Sequence, residues 1–368
     1  MNNVFVTATG QDKGKTTFTI GLLELLLEEI EDVGYMKPLG QRYVEIDGDK
    51  VDEDVELVDS VFELDADIKD MSPLIIDSGF TRENLGFQNT SALTGDVMDA
   101  YRRIGGDERP LLLEGAGKCS VGETFGLSNM KVAELTNSPV LLIAEGGIGR
   151  TIDECMLDLA YLNQFDIEIM GVVINKVYRP KLSEIAEVTG KGLTDRGLDV
   201  LGVIPYEPQL SAPTLSSVVE ELEMESLTTR IPCRWNKPIR QVLVGAMKPH
   251  QALNYLEGGE LLITGGDRED ILIAVLCWSA MSNQDPSVSP VSGIIATGGI
   301  RPHSSVTEVA EELGIQMFLA DDDTYSTAAR VRDMTVKIKP EDDEKIGQLA
   351  DLLRENIDLE KILQVMAG

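Results

Sequence analysis

An apolar strand that runs directly into a glycine- and lysine-containing loop constrains the fold of this chain more than any other feature. Residues 4–6 (Val-Phe-Val) precede a loop that ends in Gly14-Lys15-Thr16, and the pattern predicts a helix over about residues 17–30. The backbone N–H groups of such a loop can surround an anion, while the ammonium of Lys15 reaches terminal phosphates and the hydroxyl of Thr16 binds Mg²⁺. The positive end of the helix dipole points at the same phosphates. The segment therefore predicts a P-loop that binds a nucleoside triphosphate.

The loop departs from the usual spacing of its motif at one position. In the pattern G-x-x-x-x-G-K-[ST] the first glycine falls at residue 9, where this chain has Thr9, and Gly10 follows one residue later. The alternative, a chance Gly-Lys-Thr at the start of a helix, is disfavoured by the strand that precedes it. The predicted nucleotide-binding residues of this variant loop are Gly10, Gly14, Lys15, Thr16 and Thr17.

The net charge excludes two classes of partner. The chain has 32 Lys and Arg against 63 Asp and Glu, a formal charge of −31, whereas nucleic acids and anionic membranes require clustered basic residues. The longest apolar stretch without charge, residues 271–281, is well short of the roughly 18 residues that span a membrane. We expect a cytoplasmic protein with an acidic, solvated surface.

Cysteine and histidine usage argues against a metal centre built from these residues. Cys119, Cys155, Cys233 and Cys277 are far apart and form no C-x-x-C pair, so reduced thiols are predicted. The chain contains only 2 histidines, which argues against a His-based catalytic triad and against zinc.

The alternation of strands and helices predicts two α/β domains. Apolar strand-like runs at about residues 4–7, 33–36, 111–113, 140–144, 169–174 and 200–204 have helical periodicity between most of them, which is typical of a doubly wound parallel sheet. Prolines at positions 205, 208 and 213 interrupt this pattern and predict the end of the first domain. The predicted boundaries are 1–210 for the P-loop domain, 211–340 for a smaller α/β domain and 341–368 for one charged C-terminal helix.

The second domain contains a short internal repeat. Strand-like runs end in Thr264-Gly-Gly-Asp-Arg268 and in Thr297-Gly-Gly-Ile-Arg301, and a helix is predicted after each. Two interpretations stay open: an anion or effector site built from backbone N–H groups and guanidinium groups, or tight turns in which glycine permits the backbone angles. The regulatory candidates are Thr264, Gly265, Gly266, Asp267, Arg268 and Arg301.

Three charged residues are candidates for chemistry beside the P-loop. Glu114 follows an apolar strand and precedes Gly115-Ala-Gly117, which is a Walker-B-like position for a Mg²⁺ ligand. Lys37 ends the second strand, where a cation can neutralise charge on a phosphoryl group in transfer. Asp54 belongs to an acidic run that offers another metal ligand or a solvated helix start.

The order and spacing of these motifs resemble dethiobiotin synthetase and the wider group of P-loop amide-forming synthetases over about residues 1–210. The resemblance implies that Lys15 and Thr16 hold ATP and Mg²⁺, and that Thr16, Asp54 and Glu114 form the metal site. It also implies that Lys37 assists phosphoryl transfer to a carbamate or carboxylate. Two further positions, Asn175 and Pro205, are implied to contact adenine.

The whole chain is similar to the N-terminal part of long bacterial phosphotransacetylases, in which a BioD-like P-loop domain is followed by a DRTGG domain. The motif Lys37-Pro-x-x-Gln41 and the segment Leu262-Ile-Thr-Gly-Gly-Asp267-Arg268 carry this likeness. The two domains account for nearly all 368 residues, so acetyl transfer to CoA is not expected of this sequence. The segment after Lys37-Pro38 differs from the substrate loop of dethiobiotin synthetases, which argues against biotin synthesis.

Two functions remain open from the sequence. The first is a Mg²⁺-ATP-binding protein that transfers phosphoryl to a small carboxylate and is regulated through its DRTGG domain. The second is a non-catalytic nucleotide sensor that regulates acetyl-CoA or acetyl-phosphate metabolism through a partner enzyme. We expect a homodimer, and the sequence alone does not decide whether the protein is an enzyme.

Overall fold

The computed structural model describes residues 3–229, 235–282, 291–334, 338 and 342–367, which form two compact units. One unit comprises residues 1–206 and 338–368, and the other residues 207–337. No helix within the described residues is both long and apolar enough to cross a membrane. Cys119 and Cys155 are buried free thiols and Cys277 is an exposed one, whereas Cys233 lies outside the described residues.

The helices and strands of the described residues are numbered here in chain order. The strands are β1 (Val4–Ala8), β2 (Gly34–Met36), β3 (Leu39–Gly40), β4 (Tyr43–Ile46), β5 (Asp49–Asp52), β6 (Leu74–Ile75), β7 (Leu111–Lys118), β8 (Val140–Glu145), β9 (Ile169–Val177), β10 (Val200–Pro205), β11 (Glu225–Ser226), β12 (Gln241–Val244), β13 (Glu260–Gly265), β14 (Gly293–Thr297) and β15 (Met317–Leu319). The helices are α1 (Lys15–Glu29), α2 (Glu53–Phe62), α3 (Ile68–Met71), α4 (Phe80–Glu83), α5 (Thr90–Arg103), α6 (Asn129–Leu135), α7 (Gly149–Leu162), α8 (Leu182–Glu184), α9 (Gly190–Thr194), α10 (Leu215–Leu222), α11 (Pro249–Ala252), α12 (Glu269–Ser282), α13 (Ser304–Glu312), α14 (Thr324–Asp333), α15 (Asp343–Asn356) and α16 (Leu359–Ala367).

The first unit is built on a six-stranded parallel sheet with the order β10-β9-β8-β1-β7-β2. Every residue of β1 is buried, and β8 is buried up to its last residue, Glu145. Continuous apolar strands of this kind are typical of parallel sheets that are covered on both faces. The chain moves from β1 towards β2 and later crosses to β8, so the strand order changes direction beside β1, where such sheets bind ligands.

Two small sheets between β2 and α5 were not predicted from the sequence. β3 pairs with β6, and β4 forms an antiparallel hairpin with β5. The hairpin ends at Asp52, which caps α2 by accepting a hydrogen bond from the backbone of Asp54. The acidic run at residues 52–54 therefore does start a helix, but its first member, Asp52, is buried rather than solvated.

The C-terminal segment is two helices, α15 and α16, so the prediction of one helix over residues 341–368 was wrong. Ile357 has extended backbone angles and pairs with Gly202 at the edge of β10, and the backbone of Asp358 donates to the carbonyl of Leu201. Asp358 then accepts a hydrogen bond from the backbone of Lys361 and starts α16. The helix is interrupted because the chain bonds to the sheet there.

The second unit is a five-stranded sheet with the order β11-β15-β14-β13-β12. β12 to β15 are parallel, and the short edge strand β11 is antiparallel to β15. β13 and β14, which lead into the repeated Thr-Gly-Gly turns, are neighbours in this sheet. Both units therefore have the α/β architecture predicted from the sequence.

Gly21 on α1 should be essential for the packing of α15. A Cβ at this position would lie 2.7 Å from Cγ of Leu349 and 2.9 Å from Cδ1 of Leu353. We predict that Gly21→Leu lowers the free energy of unfolding by about 1–3 kcal/mol, because the added side chain overpacks this contact. Urea denaturation measures the change. Gly347→Ala on α15 is the matched control, since a Cβ there meets open space and should be neutral or stabilising by about 0.5–1 kcal/mol. Equal destabilisation by both variants would contradict the prediction.

Candidate functional site

The loop between β1 and α1 requires a glycine at its end. Gly14 has a φ of +81° and precedes α1, which begins at Lys15. A Cβ on Gly14 would lie 2.6 Å from Nδ2 of Asn175, so both the backbone angle and the available space exclude a side chain. Lys15 and Thr16 stand in the first turn of the helix, where backbone N–H groups have no partner within the helix. This geometry suits a phosphate group.

Glu114 is a fully buried carboxylate that connects three elements of the unit. Its exposed fraction is 0%. Oε1 accepts hydrogen bonds from Nζ of Lys15 at 2.6 Å and from Oγ1 of Thr16 at 3.0 Å. Oε2 accepts a hydrogen bond from the hydroxyl of Tyr35 at 3.1 Å. The two oxygens of one carboxylate thus bind the P-loop on one side and β2 on the other.

The strand that carries Glu114 is longer than predicted, so this residue lies inside β7 rather than after it. The register between β1 and β7 shifts between Val6 and Ala8, which accommodates the glycines at 115 and 117. The side chain of Asn129 donates to the carbonyls of Ala116 and Lys118, both at 2.7 Å. These bonds support the extended backbone beyond Glu114.

Thr16 lies between two carboxylates, and this arrangement fits a divalent cation. Its Oγ1 is 3.1 Å from Oδ2 of Asp54 and 3.0 Å from Oε1 of Glu114, but one hydroxyl proton cannot serve both acceptors at once. The described residues contain no group of three His, Cys, Asp or Glu side chains placed to hold a metal without other ligands. Mg²⁺ at nucleotide sites takes one or two carboxylates together with phosphates and waters. The structure thus brings Thr16, Asp54 and Glu114 together, and their role as metal ligands stays a prediction.

Lys37 is buried beside the same group and is bound by two acids. Its Nζ lies 2.8 Å from Oδ1 of Asp52 and also forms an ion pair with Asp54. Asp52, which is 1% exposed, also accepts hydrogen bonds from the backbone N–H groups of Asp54 at 2.9 Å and Gln41 at 3.0 Å. Asp52 therefore holds the ammonium of Lys37 and the start of α2 in one place.

Burial and charge shift the pKa values of three groups in this site. Burial alone lowers the pKa of Lys37, but Asp54, Glu114 and Asp52 outweigh it and raise that pKa above its ordinary value. Burial raises the pKa of Asp52, while the ammonium of Lys37 opposes the shift. Burial raises the pKa of the Tyr35 hydroxyl, and the negative charge of Glu114 raises it further. Lys37 thus stays cationic and Tyr35 stays a hydrogen-bond donor.

Asn175 contacts the P-loop itself. Its Nδ2 donates to the carbonyl of Lys13 at 3.0 Å, and its Oδ1 accepts from the backbone of Lys176 at 2.9 Å. Pro205 ends the neighbouring strand β10 and stands opposite Val177 of β9. These contacts give Asn175 a part in holding the loop, and the contact of Asn175 and Pro205 with adenine stays a prediction.

Sequence reasoning missed three residues of this site. Tyr35 resembles an ordinary core residue of a strand, and Asp52 was not distinguished within its acidic run. Lys13 belongs to the P-loop but is 6% exposed, and its Nζ lies 2.7 Å from Oε2 of Glu145 and 3.5 Å from Oε2 of Glu154. All three residues of β2 are buried, so no local pattern in this strand distinguishes Tyr35 from its neighbours.

A family model described as an AAA domain matches residues 2–214, which is more than half of the chain. The chain belongs to this AAA domain family. A second model, described as a DRTGG domain, matches residues 218–334. The resemblance to BioD-like P-loop domains followed by a DRTGG domain is thus confirmed.

Curated relatives agree with this two-domain organisation. A phosphate acetyltransferase of Nitratidesulfovibrio vulgaris is 25% identical over 366 residues, which cover 97% of this chain and 50% of the relative. A phosphate acetyltransferase of Synechocystis sp. is 26% identical over 374 residues, which cover 99% of this chain and 52% of the relative. The ATP-dependent dethiobiotin synthetase BioD of Bacillus licheniformis is 28% identical over 233 residues, which cover 60% of this chain and 93% of the relative. The chain spans about half the length of the phosphate acetyltransferases that it matches.

The two Thr-Gly-Gly turns of the DRTGG domain lie side by side, but their arginines do not converge. Arg268 donates to the carbonyl of Met247 at 2.9 Å and forms an ion pair with Asp270, on the β12 side of the sheet. Arg301 forms an ion pair with Glu225 of β11, at the opposite edge. The two guanidinium groups therefore do not form one cluster, and a regulatory role for these turns stays a prediction.

The backbone of these turns is also engaged within the domain. Gly266 donates to the carbonyl of Thr297 at 3.1 Å, Gly298 to that of Asp322 at 2.8 Å, and Gly299 to that of Ala320 at 3.0 Å. A Cβ on Gly266 would lie 1.6 Å from the carbonyl oxygen of Ile300. These bonds favour the structural interpretation of the repeat, in which β13 ends at Gly265 and Gly266 and Asp267 follow it in a tight turn against β14.

Asp52 should contribute strongly to the stability of the P-loop domain. We predict that Asp52→Ala lowers the free energy of unfolding by about 3–5 kcal/mol, because it leaves the buried ammonium of Lys37 without one of its two acids and removes the cap of α2. Urea denaturation measures the loss. Asp49→Ala, which breaks the exposed pair of Asp49 with Lys69, is the control and should cost less than about 1 kcal/mol. An equal loss of unfolding free energy in the two variants would show that Asp52 contributes no more to stability than an exposed ion pair.

Proposed function

We propose that the P-loop domain binds ATP with Mg²⁺ and transfers the γ-phosphoryl group to a small carboxylate. The observation that carries the proposal is the contact of Lys15 and Thr16 with the buried carboxylate of Glu114, because it places a cation, a hydroxyl and an acid at the mouth of one loop. In the transfer, an oxygen of the carboxylate bonds to the γ-phosphorus while the bond from phosphorus to the β–γ bridging oxygen breaks. ADP leaves with that oxygen, and an acyl phosphate forms.

Each residue has a distinct part in this proposal. The ammonium of Lys15 moves from Glu114 to the β- and γ-phosphates, and the N–H groups after Gly14 surround them. Thr16, Asp54 and Glu114 would hold Mg²⁺, which neutralises phosphate charge when bound. Lys37 stabilises negative charge on the phosphoryl oxygens, since its raised pKa keeps it cationic.

A second candidate function is nucleotide sensing. The chain matches phosphate acetyltransferases over nearly its full length and contains a DRTGG domain, which supports a regulatory part in acetyl-CoA or acetyl-phosphate metabolism. In this alternative, ATP occupies the same P-loop without turnover, and the protein acts on a partner enzyme. Regulation through the DRTGG domain, a homodimer and a cytoplasmic location belong to both proposals.

Lys15→Ala tests nucleotide binding. We predict that the variant loses measurable affinity for Mg²⁺-ATP in calorimetry, because the phosphate charge in the loop is left without its ammonium. Lys50→Ala is the matched control: it removes an exposed lysine that pairs with Asp77 outside the loop, and it should bind ATP normally. Normal binding by a folded Lys15→Ala variant would exclude the P-loop as the nucleotide site.

Lys37→Met separates the two candidate functions. If the protein is a phosphoryl transferase, ATP hydrolysis or acyl phosphate formation with a panel of small carboxylates should fall by about 100-fold or more, while ATP affinity changes little. Steady-state phosphate release and trapping of the acyl phosphate with hydroxylamine measure the reaction. Tight ATP binding by the unsubstituted chain with no turnover on any acceptor would instead support the sensor.

A further inference from the structure

We infer that Tyr35 is a positioning residue for Mg²⁺-dependent nucleotide binding, acting through its hydrogen bond to Glu114. The inference deepens the proposed function and rests on it. No motif in the sequence singles Tyr35 out.

The sheet places the two side chains on the same face. Tyr35 of β2 stands opposite Leu112 of β7 in the parallel register, and Glu114 lies two residues further along β7. Side chains two residues apart on a strand point to the same side, so the phenol extends along the sheet towards the carboxylate. The hydroxyl reaches Oε2 of Glu114 at 3.1 Å, and both side chains are buried, with exposed fractions of 1% and 0%.

This bond determines which way the carboxylate is turned. With Oε2 bound by Tyr35, Oε1 is the oxygen presented to Lys15 and Thr16. A carboxylate without the phenol can rotate, and rotation changes the donor set offered beside Thr16. Hydrogen bonds that orient a metal-binding side chain commonly change metal affinity by 10–100-fold when they are removed. The effect of Tyr35 should therefore appear only when a divalent cation is present.

Tyr101 provides a matched control in the same unit. It is 4% exposed, and its hydroxyl accepts a hydrogen bond from Nδ2 of Asn3 and donates one to the carbonyl of Gly106, both at 2.6 Å. Tyr101→Phe and Tyr35→Phe each remove one buried hydroxyl without changing the ring. A purely structural role for Tyr35 predicts the same behaviour in both variants.

The experiment measures ATP affinity by calorimetry with Mg²⁺ and with a chelator for the unsubstituted chain and both variants. Tyr35→Phe should weaken Mg²⁺-ATP binding by about 10-fold and leave metal-free ATP binding within about 2-fold. Tyr101→Phe should leave both affinities unchanged, although both variants should melt at lower temperature. Loss of affinity by Tyr35→Phe equally with and without Mg²⁺, or no loss at all, would overturn the inference.

A double-mutant cycle provides a second test, which does not depend on the stability of the Tyr35→Phe single variant. Glu114→Gln removes the carboxylate, so adding Tyr35→Phe to it leaves no buried charge without its donor. If Tyr35 acts through Glu114, the double variant should show the same Mg²⁺ dependence as Glu114→Gln, and a further loss would overturn the inference. If the unsubstituted chain shows no Mg²⁺-dependent ATP binding, the proposed function is overturned together with the inference. If it does, and Tyr35→Phe leaves the Mg²⁺ dependence unchanged, only the inference is overturned.

Discussion

The site of the P-loop domain depends on one buried negative charge. A carboxylate with no exposed surface is costly inside a protein unless its oxygens are bonded, and Glu114 meets this condition through Lys15, Thr16 and Tyr35. These three partners come from the first turn of α1 and from β2, while Glu114 comes from β7. The need to bond both oxygens of Glu114 therefore fixes the start of α1 relative to β2 and β7. The positions of Lys15 and Thr16 at the proposed phosphate site follow from this arrangement.

Two lysines and three carboxylates form a linked group around this charge. Lys15 binds Glu114, Lys37 binds Asp52 and Asp54, and Thr16 bridges the two parts. Counting full charges, the group carries two positive and three negative, so it has a net charge of minus one. Triphosphate binding requires Lys15 to exchange its carboxylate for phosphate, which leaves acidic oxygen uncompensated beside Thr16. A divalent cation would restore the balance, and in the proposed function nucleotide and metal affinity should therefore be coupled through Glu114.

Much of this architecture could be predicted from the sequence because it follows from local patterns. Hydrophobic periodicity and turn residues are local signals, which depend on residues close together in the sequence. They mark the strand before Gly14, the helix after it and the two α/β domains. Tyr35 and Asp52 could not be found that way, since their roles arise from partners in other elements, Glu114 on β7 and Lys37 after β2. The same reason applies to the turns of the DRTGG domain. The two turns repeat in sequence, but Arg268 pairs with Asp270 and Arg301 pairs with Glu225, so the two guanidinium groups lie on different sides of the sheet.

The environment of Lys37 bears on the choice between a transferase and a sensor. Its ammonium is held by Asp52, which is itself fixed by the backbone of Gln41 and Asp54. A lysine bound so firmly contributes to catalysis only if the gain from phosphoryl oxygens in the transition state exceeds the loss of its contact with Asp54. Metal binding at Asp54 would weaken that contact, because the cation and the ammonium compete for one carboxylate. In the proposed transferase, release of Lys37 from Asp54 would then follow the arrival of Mg²⁺-ATP, and the pair of Lys37 and Asp54 would be the contact on which turnover depends.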